Sequence, residues 1–313
     1  MMCYRLKRAA KNIIFPACRM ILSVFLLTSN VASVANTLEK DGYLPTDSKH
    51  ASWVFSGVVT NESGDKYGYF FQMTRQGSEF HVVSALFDGQ TKTVILQEES
   101  SASIAEPNAY NWHVGRAFLR FNPINDSWIF GLKAADKKGF NFKVDMLRTP
   151  ENGPVSQKLR PGVDYLISQT GQLNGHVHIG DAQEQFVTAK NAWFRQVWLT
   201  QSESAQHTFS GVLCCLNDGS GFYSMNTVDS DAIRGAEAGW FDAQGVPSAI
   251  SQFINVSQSP NEGPWHIRIG SPQMHFVLSD YIKQYSTVAG FVAEADTPGF
   301  CLLSMNEIGE KTA

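Results

Sequence analysis

The period of the apolar residues constrains this chain more than any other feature. From Trp53 onward, aromatic and β-branched residues recur at alternate positions in short segments, each closed by Gly, Asn or Asp, and no long stretch sustains a 3.6-residue period. A period of two puts successive side chains on opposite faces of a strand, so the chain is expected to be all-β. Residues 54–60 pass through Asn61-Glu62-Ser63-Gly64-Asp65 into 66–74, followed by 80–87, Asp88-Gly89 and 91–97, a run of hairpins. The meander continues over 111–121, 127–133 and 139–146.

Residues 148–162 hold three prolines and two glycines and are predicted to be a long connection, because proline cannot donate to a sheet ladder. A second strand series follows: 173–179, 185–188, 207–216, 221–228, 248–256, 265–269, 274–278, 287–293 and 299–305. Meanders of this length leave exposed edges unless they close. The pattern therefore points to two antiparallel β-barrels, over 47–185 and 186–308, or to one β-sandwich with insertions. Phe55-Ser56-Gly57-Val58 is echoed by Phe209-Ser210-Gly211-Val212, each leading into an Asn/Gly turn, and the echo favours two similar barrels.

The N-terminus reads as a secretory signal over residues 1–35. Arg5, Lys7, Arg8, Lys11 and Arg19 precede or border an apolar core at 20–28, and Ser33-Val34-Ala35 supplies small residues before Asn36. That core is shorter than the roughly 20 residues a spanning helix needs, so the mature chain is expected to be exported, periplasmic or secreted, with no integral membrane segment. Cys18 lies before the apolar core, the wrong order for a lipobox. Taking those five cations from 25 leaves 20 basic against 29 acidic residues, a formal −9, which argues against a nucleic-acid or anionic-membrane surface. Cys214, Cys215 and Cys301 remain after cleavage. Adjacent strand residues point to opposite faces, so either one of Cys214 and Cys215 bridges to Cys301 or all three are buried thiols.

Several constellations carry possible chemistry. Trp53, Tyr69, Phe71, Trp193 and Trp198 are of the type that lines an apolar cavity in a barrel or fills its core; Trp193 and Trp198, five apart, face opposite sides of a regular strand. Arg195 between them suits an anionic head group such as a fatty-acid carboxylate, or an outward-facing position. His176 and His178 share a strand face, but no third ligand accompanies them, and no metal or cofactor is expected. Glu294 with Asp296, and Asp229 with Asp231, are same-face acid pairs beside turns. The chain lacks G-x-S-x-G, H-E-x-x-H, G-x-x-x-x-G-K and G-x-G-x-x-G.

The same strands resemble those of the lipocalin-like family of carotenoid 1,2-hydratases and AttH-type secreted proteins. Ser52-Trp53-Val54-Phe55-Ser56-Gly57 is similar to the family's S/W-W-Y-x-T-G strand, and Tyr67-Gly68-Tyr69 through Arg75 to its Y-G-F-x5-R strand. Trp128, Gly139-Phe140, Thr149, Pro154-Val155, and Tyr165-x-x-Ser168-x-Thr170 with Gly171 and Gly175 also fit. Where members read A-W-x-D-R-E-W, this chain reads Ala192-Trp193-Phe194-Arg195-Gln196-Val197-Trp198, keeping both tryptophans and losing both carboxylates. The family's W-D-W-F strand corresponds to the region of Phe209-Ser210-Gly211-Val212, without the Asp, and the Glu before the first Trp is Ala51.

The resemblance implies two lipocalin-like barrels and an apolar or amphipathic small-molecule ligand. Alkene hydration needs a strong, positioned proton donor, and neither Gln196 nor Ser210 supplies one. The expected function is non-catalytic binding, with Trp53, Tyr69, Phe71, Trp193, Arg195 and Trp198 as ligand-lining residues. The alternative is a hydratase or hydrolase acting on a lipid-like or isoprenoid substrate through His176, His178, Glu294 or Asp296.

Overall fold

The computed structural model describes residues 48–107, 109–146, 157–170, 172–181, 184–189, 191–200, 208–229, 232–292 and 298–305, so the signal sequence expected over residues 1–35 lies outside the described residues. Every regular element among them is a strand, as the two-residue period predicts. A first sheet holds β1 (His50–Asn61), β2 (Lys66–Gln76), β3 (Glu79–Asp88), β4 (Val94–Ser103), β5 (Asn111–Val114), β6 (Ala117–Asn122), β7 (Ser127–Ala135), β8 (Lys138–Asp145), β9 (Gln157–Arg160), β10 (Val163–Thr170), β11 (Gln172–Ile179), β12 (Gln185–Ala189) and β13 (Ala192–Leu199). A second holds β14 (Thr208–Leu216), β15 (Gly221–Asp229), β16 (Ala232–Phe241), β17 (Pro247–Ser248), β18 (Ile254–Gln258), β19 (Trp265–Ile269), β20 (Met274–Gln284), β21 (Thr287–Val292) and β22 (Gly299–Ser304).

The first sheet is a nearly closed antiparallel barrel. Its strands run β4-β3-β2-β1-β12-β11-β8-β7-β6-β5, and β4 comes back against β5 and β8. Side chains stitch this gap: the Arg116 guanidinium donates to Glu98 at 2.9 Å, and Lys138 Nζ donates to the Ile95 carbonyl at 3.1 Å. β1 forks. Its residues 51–57 pair with β13, whereas Thr60 and Asn61 pair with β12, and β13 carries β10 and β9 as a side branch.

The second sheet is a curled half-barrel of order β17-β16-β15-β14-β22-β21-β20-β19-β18, in which residues 249–253 join one edge strand to the other. Cys214 and Cys301 are opposed on β14 and β22 and form a disulfide inside this sheet, and Cys215 is a buried thiol on the other face. Parity alone had required that only one of the adjacent pair could bridge.

Three cores follow from these surfaces. One fills the barrel, one lines the half-barrel, and a third forms the seam where the outward face of β1, β2, β3, β10 and β13 meets β14, β15, β21 and β22. Strands between two cores need apolar residues on both faces, which explains runs such as Tyr69-Phe70-Phe71 and the complete burial of β13.

Residues 186–199, read in sequence as opening the second barrel, hydrogen-bond to the first sheet through β1, β10 and β11; sheet membership changes after Leu199. Part of the Pro/Gly-rich connection is the short β9. β16 escaped the strand pattern because it is rich in Ala and Gly, and packing requires this: a Cβ at Gly235 would meet the Leu159 carbonyl at 2.5 Å, and one at Gly239 the Tyr223 ring at 2.5 Å.

Candidate functional site

β13 separates the residues that the sequence singles out. Phe194 and Trp198 join the barrel core, whereas Trp193, Val197 and Leu199 join the seam. Trp193 and Trp198 therefore face opposite sides. Trp53, Tyr69 and Phe71 point into the barrel, where rings occupy the space: Phe55 stacks on Phe130 at 4.1 Å, Trp53 meets Trp112 at 4.7 Å, and Tyr69 meets Phe142 at 5.0 Å. Burial, and secondarily the neighbouring Cys215, hold the Tyr69 phenol well above its usual pKa. Gln196, opposite Trp53 in register, is also buried. Among the described residues the buried charged side chains are Arg75 and Arg195, of which Arg195 is fully buried; no Asp or Glu joins them.

Arg195 is 1% exposed and faces the seam. Its guanidinium stands 5.1 Å from the centroid of the Phe209 ring and donates to Ser304 Oγ at 3.2 Å. The absence of a side chain at Gly211 leaves it room. Trp193 is fixed by a 2.9 Å bond from its indole N–H to the Cys214 carbonyl. The six residues thus divide into four in the barrel and two in the seam.

His176 and His178 lie on β11 opposite Asn141 and Gly139, outside the barrel core, with His176 exposed and packed on Phe186. No group of three His, Cys, Asp or Glu side chains suited to a metal occurs among the described residues. Glu294, Asp296 and Asp231 lie outside the described residues.

A cavity of about 360 Å³ opens along β16, where it extends beyond the two-residue β17. Tyr223, Glu237, Gly239 and Phe241 line it from one face of β16 and its neighbour β15; Trp240, Pro247, Ser248, Ala249, Ile250, Ala238 and Gln252 complete it. Trp193 packs behind, edge-on to Tyr223 at 5.8 Å and to Phe241 at 5.6 Å. Tyr223 is opposite Gly239 in register and its ring crosses that glycine, placing it between Glu237 and Phe241.

Burial holds the Glu237 carboxyl above the ordinary carboxylate range, partly offset by a hydrogen bond from the Ala238 backbone. The Tyr223 phenol is pushed up to about 12 by burial and then by Glu237, and Tyr165 on β10 rises for the same two reasons and from Tyr223. Sequence reasoning missed Glu237. The available signal was Trp240-Phe241 before the Asp242 turn, whose carboxylate accepts the N–H groups of Gln244 and Val246: a strand must enter such a turn, and same-face parity leads back to Glu237.

No family model matches this chain, and no curated protein matches it in sequence. Solved structures share its fold, two of them as follows. An AttH-like protein from Nitrosomonas europaea is 15% identical with a TM-score of 0.57, over 82% of this chain and 93% of that one. Kievitone hydratase from Nectria haematococca is 12% identical with a TM-score of 0.56, over 82% and 88%. The architecture is therefore that of the lipocalin-like barrel proteins, as the strand motifs implied.

Proposed function

We propose that this protein is an exported binding protein for an apolar or amphipathic small molecule, held in the cavity along β16. The observation that carries this reading is the cavity itself: about 360 Å³, walled by Tyr223, Trp240, Phe241 and Ile250, with few polar groups. Its size and lining match the common run of small-molecule sites, which are concave and mainly apolar with a few fixed polar groups. Trp193 belongs to the wall's support. N-Phenyl-1-naphthylamine, whose fluorescence rises in apolar surroundings, tests the reading. Saturable enhancement that is lost in Ser248→Trp, which plugs the mouth from an exposed position, is the expected result. Enhancement unchanged by that plug removes the site.

One observation favours a second reading, an alkene hydratase. Glu237 is a carboxyl in the cavity wall that burial shifts above its usual range, the direction in which a general acid is tuned. It would give its proton to the alkene, water would add to the resulting cation, and the water's proton would return to Glu237. Incorporation of ¹⁸O from labelled water into an isoprenoid alkene, abolished in Glu237→Gln, is the result this reading requires; absence of label in the parent protein ends it.

A further inference from the structure

The charge of the cavity identifies its ligand more narrowly, and this step rests on the binding reading above. Among the described residues of the lining, Glu237 is the only carboxyl, and Tyr223 is the only other titratable group. No lysine, arginine or histidine stands among the described residues that line the cavity. Three aromatic residues, Tyr223, Trp240 and Phe241, contribute to the wall, and an aromatic ring offers a cation the negative face of its π-system. An anionic head group would face the Glu237 carboxyl with no cation among the described lining residues to offset it. The cation that could serve one, Arg195, is buried in the seam over Phe209 and bonded to Ser304, outside the lining.

We propose that the cavity selects amphipathic cations: an alkyl ammonium or quaternary ammonium group sits against Glu237 and the neighbouring rings, and its hydrocarbon lies along Trp240 and Ile250. The geometry places the carboxyl and the rings within one short stretch. Glu237, Gly239 and Phe241 share a face of β16, and Gly239 lets the Tyr223 ring lie between the other two. A cation there gains both a Coulombic partner and ring quadrupoles in a partly dehydrated site. The groups acting on the Glu237 carboxyl are its own burial and the Ala238 N–H, and the phenols of Tyr223 and Tyr165 feel its charge; Lys158 on β9 is instead set against Asp164.

The test is displacement of N-phenyl-1-naphthylamine from the full chain by three ligands of equal tail length: octyltrimethylammonium, octanol and octanoate. The expected order is the ammonium first, about tenfold tighter than octanol, with octanoate weakest. In Glu237→Gln the ratio of ammonium to octanol falls to about one, whereas Glu237→Asp, which keeps the charge, retains a preference. Because octanol is read in each variant, a general loss of binding cannot imitate the effect. Equal displacement by all three ligands, or octanoate first, overturns the selectivity and leaves the binding reading intact. Failure of the naphthylamine to bind at all overturns both.

Discussion

Adding one methyl group beneath Arg195 isolates the strength of the seam. Gly211 lies on β14 under the guanidinium; a Cβ there would overlap Nη1, and the Ser224 carbonyl stands 3.0 Å away on another side. An exposed arginine would swing aside at little cost. Arg195 is 1% exposed, so its head has no water to move into, and displacement strains its 3.2 Å bond to Ser304. Overpacking of this kind costs about 1–3 kcal/mol, and loss of a charged hydrogen bond about 1.5–3 kcal/mol. Against these, Ala in a strand gains about 0.5–1 kcal/mol over Gly from backbone entropy. Gly211→Ala is therefore expected to destabilise by about 2–4 kcal/mol. In an Arg195→Met background the methyl meets a shorter, uncharged chain, and the same substitution should cost less than about 1 kcal/mol. Urea unfolding of the four proteins with the disulfide intact, followed by tryptophan fluorescence, measures the coupling. Additivity within about 0.5 kcal/mol would refute the packing argument.

Two further outcomes follow from the closures of the sheets. Burial raises the Glu98 carboxyl, but hydrogen bonds from Ser100 and Arg116 outweigh it and hold the group below its ordinary pKa. The stabilisation is thus present at neutral pH and fades as pH falls through the folded-state value; Arg116→Gln should remove about 1 kcal/mol at pH 7 and much less at pH 3, seen as convergence of the two urea midpoints. For the half-barrel, the Cys214–Cys301 bridge spans a separation of 87 residues, for which chain entropy predicts about 4–5 kcal/mol. Cys214→Ala should lower the denaturation midpoint accordingly, and an unchanged midpoint would show that the sheet holds without it.

Much of this architecture was legible because strand parity is a strong code. The inward row Trp53, Phe55 and the outward Val54 could be assigned by alternation, as could the division of Trp193 from Trp198. Sheet membership was not legible at β13, because a strand buried on both faces reads the same whichever sheet it joins; hydrogen-bond partners alone place it, through Arg195 opposite Val54 and Ile167. The cavity was hidden for a different reason. It lies on β16, where Gly235 and Gly239 answer to close approach by Leu159 and Tyr223, so the residues that define the wall are those with the least propensity to announce a strand.

The forked β1 has a consequence for how such a chain can change over time. One strand sets the alignment of β2 along its whole length, of β13 over its first half and of β12 at its end. A single inserted residue between 52 and 57 would turn every later side chain through half a turn for three partners at once. The Asn61–Asp65 bend just beyond, partly open to water, could absorb the same insertion. Length variation among descendants of this chain should therefore gather in its bends, with β1 serving as the fixed ruler against which the first sheet is measured.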